Sequence, residues 1–161
     1  MELASLESFV DEHYPRLVRL AGLITRDPDQ AQDAVQAALE RAWRKHGSIR
    51  HAASLRPWLD RIVAREAIRQ TRGGLLATLL RRRPVDWAEL AAPLPEPVET
   101  AVLREALGRL SPDQRAVIAL HLHAGYSVDE TARVLGVPFD TVRSRLRAAR
   151  DRLRREMAEV N

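Results

Sequence analysis

From position 28 onward the apolar residues keep a helical period. Ala31, Ala34, Val35, Ala38, Leu39 and Ala42 stand at i, i+3, i+4, i+7, i+8 and i+11, a spacing that gathers them on one face of an α-helix. Asp29, Gln32, Asp33, Gln36 and Glu40 take the opposite face. Asp27 before Pro28 supplies a cap and a preformed first turn. Upstream, Leu6, Val10, Leu17, Ala21 and Ile24 mark an opening helix, with a kink expected at Pro15. Downstream, Ser54 is placed to cap a third helix carrying Trp58, Leu59, Ile62 and Val63. Arg61, Arg65, Arg69 and Arg72 stripe that helix at i, i+4, i+8 and i+11.

The second half repeats the helical period with sharper punctuation. Leu103, Ala106, Leu107 and Leu110 open it. Ser111 and Gln114 stand three apart, as do Ser127 and Glu130. Each pair has the spacing of a capping box, in which the hydroxyl and the side chain three residues on satisfy each other's backbone donors. Val117, Ile118 and Leu120 follow the first box, and Gly125 closes that helix. Ala132, Val134 and Leu135 follow the second, and Gly136 ends it where a residue without a Cβ is wanted. A last helix then starts near Pro138. Val142, Leu146, Ala149 and Leu153 share its apolar face, and Arg143, Arg147, Arg150 and Arg154 run parallel to them. Two helices joined by a short glycine turn form the shape that lays a second helix in a DNA major groove. Arginine can hold guanine bidentately, and threonine or serine can reach a base or a phosphate.

Between these halves the pattern lapses. Residues 73–97 hold Gly73-Gly74, the run Arg81-Arg82-Arg83, and prolines at 84, 93, 95 and 97, a linker composition. The expected architecture is therefore all-α: one helical domain over 1–72, a flexible linker over 73–97, and a second helical domain over 98–161.

Composition narrows the chemistry. The 161 residues carry a formal charge of +4, and Lys45 is the only lysine among 26 basic residues. Arginine favours planar, bidentate contacts to phosphates and bases. With no cysteine, disulfides, thiolate catalysis and cysteine-ligated zinc are excluded. The five histidines are scattered, and the chain has no Gly-rich phosphate loop, HExxH or nucleophile elbow. No enzyme activity, metal or cofactor is expected. The acidic, amphipathic N-terminus is unlike a secretory signal, and no apolar run reaches the length of a membrane span. A cytoplasmic protein without membrane insertion is expected.

At this point the residues match a family. The chain resembles the extracytoplasmic-function (group 4) sigma factors of bacterial RNA polymerase, across almost its whole length. HYPRLVRLA, DPDQAQDAVQAALERAW and RPWLDRIV are similar to conserved region 2. The stretch from Leu103 through TVRSRLRAARDRL is similar to region 4. The resemblance implies a protein that binds core RNA polymerase, reads a −35 element as duplex and captures a −10 element as single-stranded DNA. It also implies an anti-sigma partner. Carried onto this sequence, it assigns Thr141, Arg143 and Ser144 to −35 contacts, with Arg147 and Arg150 supporting on phosphates. It assigns the loop from Gly47 to Leu55, with Ser48, His51 and Ser54, to the −10 element, together with Trp58, Arg61 and Arg65 on the adjoining helix. Asp33 and Gln36, with Glu40 on the same face, fall at the polymerase contact.

Several positions depart from the family pattern. The usual D-A-E-D-x-x-Q-E near the polymerase contact reads Gln30-Ala31-Gln32-Asp33-Ala34-Val35-Gln36-Ala37 here, which implies a weaker or differently balanced contact. Arg65 stands where asparagine is common, and Ala148 where a basic residue is frequent. A stand-alone helix-turn-helix regulator that binds paired half-sites as a dimer is the competing reading. The acidic amphipathic helix followed by an arginine-striped one speaks for the sigma reading.

Overall fold

The computed structural model describes residues 3–49, 51–73 and 105–159. Beyond residue 73 the expected linker lies outside the described residues. Among the described residues every regular element is helical, as the pattern predicts.

The N-terminal unit is three helices. α1 (Leu3–Thr25) includes Pro15. α2 (Pro28–Lys45) begins at Asp27, whose carboxylate accepts from the N–H groups of Asp29 and Gln30. That cap satisfies two of the donors left open at a helix start. The six apolar residues at helical spacing in α2 are all buried, against Leu6, Leu17, Leu20 and Ile24 of α1 and Leu59, Val63 and Ala67 of α3 (Leu55–Gly73). Two single 3-10 turns, His46–Ser48 and Ala52–Ser54, carry the chain from α2 to α3.

The C-terminal unit opens with a helical turn at 105–108 that buries Ala106, with Leu110 buried just beyond it. α4 (Pro112–Ile118) starts from the Ser111–Gln114 capping box, formed in both directions. It widens into a π-helical turn, Ala119–His123, closed by the Ala124 N–H donating to the Ala119 carbonyl at 2.8 Å. Gly125 then takes φ +82° and turns the chain back. α5 (Val128–Leu135) starts from the Ser127–Glu130 box and ends at Gly136, which is left-handed at φ +67°. There the Gly136 and Val137 N–H groups both donate to the Ala132 carbonyl, at 2.8 and 3.1 Å. α6 (Phe139–Ala158) follows, with Val142, Leu146 and Ala149 buried and Leu153 half-buried.

The two units share one continuous apolar core. Ala116, Val117 and Leu120 of the α4 segment, Ala132 and Val134 of α5, and Val142 and Leu146 of α6 join the cluster built by α1–α3. α4 packs on α1 and α3, and α5 packs on α3. Several polar groups buried at this junction are paired, as burial demands, whereas the buried Arg16 Nε and Thr131 hydroxyl find no partner among the described residues. The Arg115 side chain donates from Nε to the Ile24 carbonyl at 2.6 Å and from Nη1 to the Leu110 carbonyl at 2.5 Å. Burial, and then the charge of Arg26, lower the Arg115 pKa to about 10. Asp60 has no exposed side-chain surface. It accepts two bonds from the Arg16 guanidinium, at 3.0 and 2.7 Å, and one from the Tyr126 hydroxyl at 2.6 Å. Burial and the bond to Asp60 push the Tyr126 pKa up.

Candidate nucleic-acid interface

The polar flank of α6 is built by helical geometry. At 3.6 residues per turn, burying Val142, Leu146 and Ala149 turns Arg143, Arg147, Arg150 and Arg154 into one line beside the core. Arg143, Ser144, Arg147 and Arg150 are exposed, and Thr141 is half-buried. Arg143, Ser144, Arg147 and Arg150 border an open groove of about 630 Å³ that also takes in Asp140, Asp151 and Arg154 of α6, with His121 and Val128 across it; Thr141 does not line it. The Ser144 hydroxyl donates back to the Thr141 carbonyl at 3.0 Å, which leaves its lone pairs facing outward as acceptors. His121 Nδ1 lies 2.6 Å from the Tyr126 carbonyl, which ties the π-helical turn to the loop that starts α5. A hydrogen bond thus braces each wall of the groove, with cationic forks on one side. It suits a polyanion whose edge carries acceptors.

A second basic cleft, of about 270 Å³, lies on the N-terminal unit between α2 and α3. Arg41, Lys45, Trp58, Arg61, Ile62 and Arg65 line it. Its floor is fixed from below. Buried Glu66 accepts from Arg41 at 2.9 Å and from Arg69 at 2.7 Å. Trp58 is half-buried and packs against the core while one part of it borders the cleft. Packing and cleft lining thus coexist in one side chain. Ser48, His51 and Ser54 are exposed on the turns leading into α3. The Ser48 hydroxyl donates to the Lys45 carbonyl at 2.7 Å. These three do not line the cleft that holds Trp58, Arg61 and Arg65.

The arginine stripe of α3 is less available than the sequence suggests. Arg65 donates to the Leu135 carbonyl at 3.3 Å, at the turn between α5 and α6. A Cβ at Gly136 would lie 2.3 Å from the Arg65 guanidinium, so the missing side chain is what admits it. Arg72 pairs with Asp113, and Arg69 with Glu66. Arg56 donates to the Ala124 carbonyl at 3.0 Å. Burial, and then the charge of Arg61, lower the Arg65 pKa. Of the stripe, Arg61 and Arg65 border the cleft, and Arg65 is shared with the C-terminal unit.

Asp33, Gln36 and Glu40 lie exposed along α2, opposite its apolar face. Among the described residues the main packing between the two units runs through α1 and α3.

Sequence reasoning did not single out Asp60, Tyr126, Arg16 or Arg115. Asp60 sits at i−3 and i−4 to the buried Val63 and Ala64, so a carboxylate on an apolar face was the available signal. It also missed Phe139, whose ring is exposed at the start of α6. Among the described residues no group of histidines and carboxylates could hold a metal ion, and no helix is long and apolar enough to cross a membrane.

Known proteins resemble this chain over nearly its full length. The family model for sigma-70 region 2 matches residues 9–74, and that for sigma-70 region 4 matches residues 100–153. The ECF RNA polymerase sigma factor SigM of Mycobacterium tuberculosis is 38% identical over 150 residues, covering 92% of this chain and 75% of SigM. SigL of the same organism is 32% identical over 164 residues, covering 99% and 92%. The sigma factor RpoE of Bartonella quintana, solved in complex with the anti-sigma factor NepR, superposes with a TM-score of 0.73 at 26% identity, covering 95% of this chain and 96% of RpoE. The two family regions in their order, together with relatives matched over most of their length, make this chain a member of the extracytoplasmic-function sigma factors of the sigma-70 family.

Proposed function

We propose that the chain works in the cytoplasm as a promoter-specificity subunit. It joins core RNA polymerase through the exposed α2 face and directs it to promoter DNA through the two basic surfaces. The observation that carries this is the pairing, in one chain, of an arginine-lined groove on a capped helix-turn-helix with a separate polar helix face that is exposed among the described residues. In this reading residues 1–72 form the polymerase- and −10-binding domain, residues 73–97 the connection, and residues 98–161 the −35-binding domain.

Each surface has a distinct physical task. Along α6, Arg143 with Thr141 and Ser144 reads base edges of the −35 duplex, while Arg147 and Arg150 neutralise phosphates. Phosphate contacts set affinity and salt dependence, and base contacts set sequence. On α3, Trp58, Arg61 and Arg65, with Ser48, His51 and Ser54 on the preceding turns, receive the −10 strand. Unstacked bases are held there by stacking and cationic contact. Arg65 and Arg56 donate to carbonyls of the C-terminal unit in the closed arrangement. The −10 surface is therefore completed when the two units part on the polymerase. Either surface alone is a weak reader. Fixing both at one spacing raises the effective concentration of the second contact. An anti-sigma protein is the expected regulator, by its effect on that parting or on the α2 face.

Co-purification with cognate core RNA polymerase tests the reading. Wild-type chain is expected to co-elute in stoichiometric amount. Asp33→Arg, on an exposed position, is expected to lose association while its helical circular dichroism is unchanged. A chain that ignores core polymerase and binds paired DNA half-sites as a dimer would overturn the reading.

A further inference from the structure

Phe139 is the first residue of α6, and its ring stands 45% exposed. The core of the C-terminal unit does not include it. α6 buries Val142, Leu146 and Ala149 instead. One helical turn on from Phe139 is Arg143, whose guanidinium carbon lies 5.9 Å from the Phe139 ring centroid. That is the range of a cation–π contact. Helix rotation puts both side chains on the flank that carries Arg147 and Arg150. In a helix-turn-helix the first turns of the second helix are the ones that reach base edges. Among the described residues this large apolar side chain, beside an arginine fork, is left out of the core.

We propose that Phe139 is a base-reading residue that meets the 5-methyl group of a −35 thymine next to the guanine held by Arg143. This rests on the promoter-binding reading above and adds to it. In the major groove thymine presents a methyl group and an acceptor, whereas cytosine presents an amino donor and adenine an amino donor beside an acceptor. A phenyl ring gains by covering the methyl. It offers nothing to an amino group, which would lose water without a partner. The ring therefore favours thymine over cytosine or adenine at its position. The two side chains stand side by side on one flank of α6 and read a guanine and its neighbouring thymine separately.

Deoxyuracil isolates the contact, because it pairs as thymine does and lacks only the methyl. Wild-type holoenzyme is first used to select a −35 sequence from a randomised promoter pool. Each −35 thymine is then replaced singly by deoxyuracil in duplex promoter DNA, and holoenzyme binding is measured. At one thymine beside a guanine, wild type is expected to lose about fourfold, the worth of one methyl taken out of water. Phe139→Ala is expected to bind the thymine and deoxyuracil forms equally at that position while keeping its preference for the adjacent guanine. Phe139→Leu should restore part of the discrimination. The proposal is overturned if the selected −35 element has no thymine beside a guanine, if no single deoxyuracil weakens wild type, or if Phe139→Ala keeps the full deoxyuracil loss. Loss of the guanine preference alone in Phe139→Ala would leave the ring as a support for Arg143 and would also overturn it. If wild-type holoenzyme selects no −35 sequence, the promoter-binding reading fails first, before any deoxyuracil is introduced.

Discussion

The Tyr126 hydroxyl donates to Asp60 Oδ2 at 2.6 Å, across the boundary between the two helical units. Asp60 is wholly buried and also accepts from Arg16, with the Arg56 guanidinium 3.9 Å away. A phenol on the loop before α5 thus joins a carboxylate whose other hydrogen-bond donor, Arg16, lies on α1. Tyr126→Phe removes one bond to a charged acceptor and leaves Asp60 held by Arg16. The expected loss is about 1.5 kcal/mol, read as a lower urea midpoint at unchanged slope. Asp60→Ala strands the Arg16 guanidinium and is expected to cost about 3–5 kcal/mol. In an Asp60→Asn background Tyr126→Phe should cost less than in wild type. Additive losses would show that the two side chains do not interact.

Arg115 makes the second bond network across the same boundary. Its guanidinium is buried and holds the carbonyls of Ile24 and Leu110. Arg115→Met preserves much of the volume and leaves both carbonyls without this donor. Each is worth about 1–3 kcal/mol when buried and unsatisfied. The expected result is a thermal midpoint well below that of wild type, with circular dichroism at low temperature unchanged. An unaltered midpoint would mean that the two carbonyls find water.

His123, exposed at its outer side, is expected to make the packing of the two units sensitive to acid. Its pKa is lowered by burial, and then by Arg19 and Arg16 on α1. The unfolded chain takes up this proton as pH falls through about 6.5, whereas the folded chain resists it until lower pH. Stability linked to His123 is therefore present above about 6.5 and is lost as pH falls through the folded value. Urea midpoints measured from pH 8 to 5 should decline, and His123→Gln should flatten the lower part of that profile. An identical profile for the variant would remove His123 as the cause.

Arg143 and Arg147 are expected to separate by function. Arg143→Ala should cost about 1–3 kcal/mol on a matched −35 duplex and less on a scrambled one. Arg147→Ala should weaken both alike and lower the salt slope by about one. Both are exposed, so neither change should alter the melting temperature. Fluorescence anisotropy of holoenzyme binding at several salt concentrations distinguishes them. Equal losses for Arg143→Ala on matched and scrambled DNA would take base reading away from that residue.

The helices were legible wherever periodicity and caps agreed. Ala31 to Ala42 on α2, both serine capping boxes and left-handed Gly136 all follow from side-chain chemistry within a few residues, and the structure has each of them. The arginine flank of α6 is equally local, since it needs only the spacing of Val142, Leu146 and Ala149. What the sequence did not show is the junction between the units. Asp60 meets Tyr126 66 positions away, and Arg115 meets Ile24 91 positions away. No spacing rule links residues so far apart. The same junction explains why Arg65 reads as one member of a free basic stripe yet spans from the cleft to the Leu135 carbonyl. Phe139 escaped notice because an apolar residue at a helix start reads as core until its exposure is known.

Transcription from a randomised promoter pool by core RNA polymerase, with and without this chain, tests the central claim most directly. Core enzyme alone is expected to start RNA synthesis without sequence preference. Addition of the chain should enrich templates sharing two spaced motifs, the upstream one lost with Arg143→Ala and the whole enrichment lost with Asp33→Arg. Transcripts that start no more selectively with the chain than without it would contradict the account.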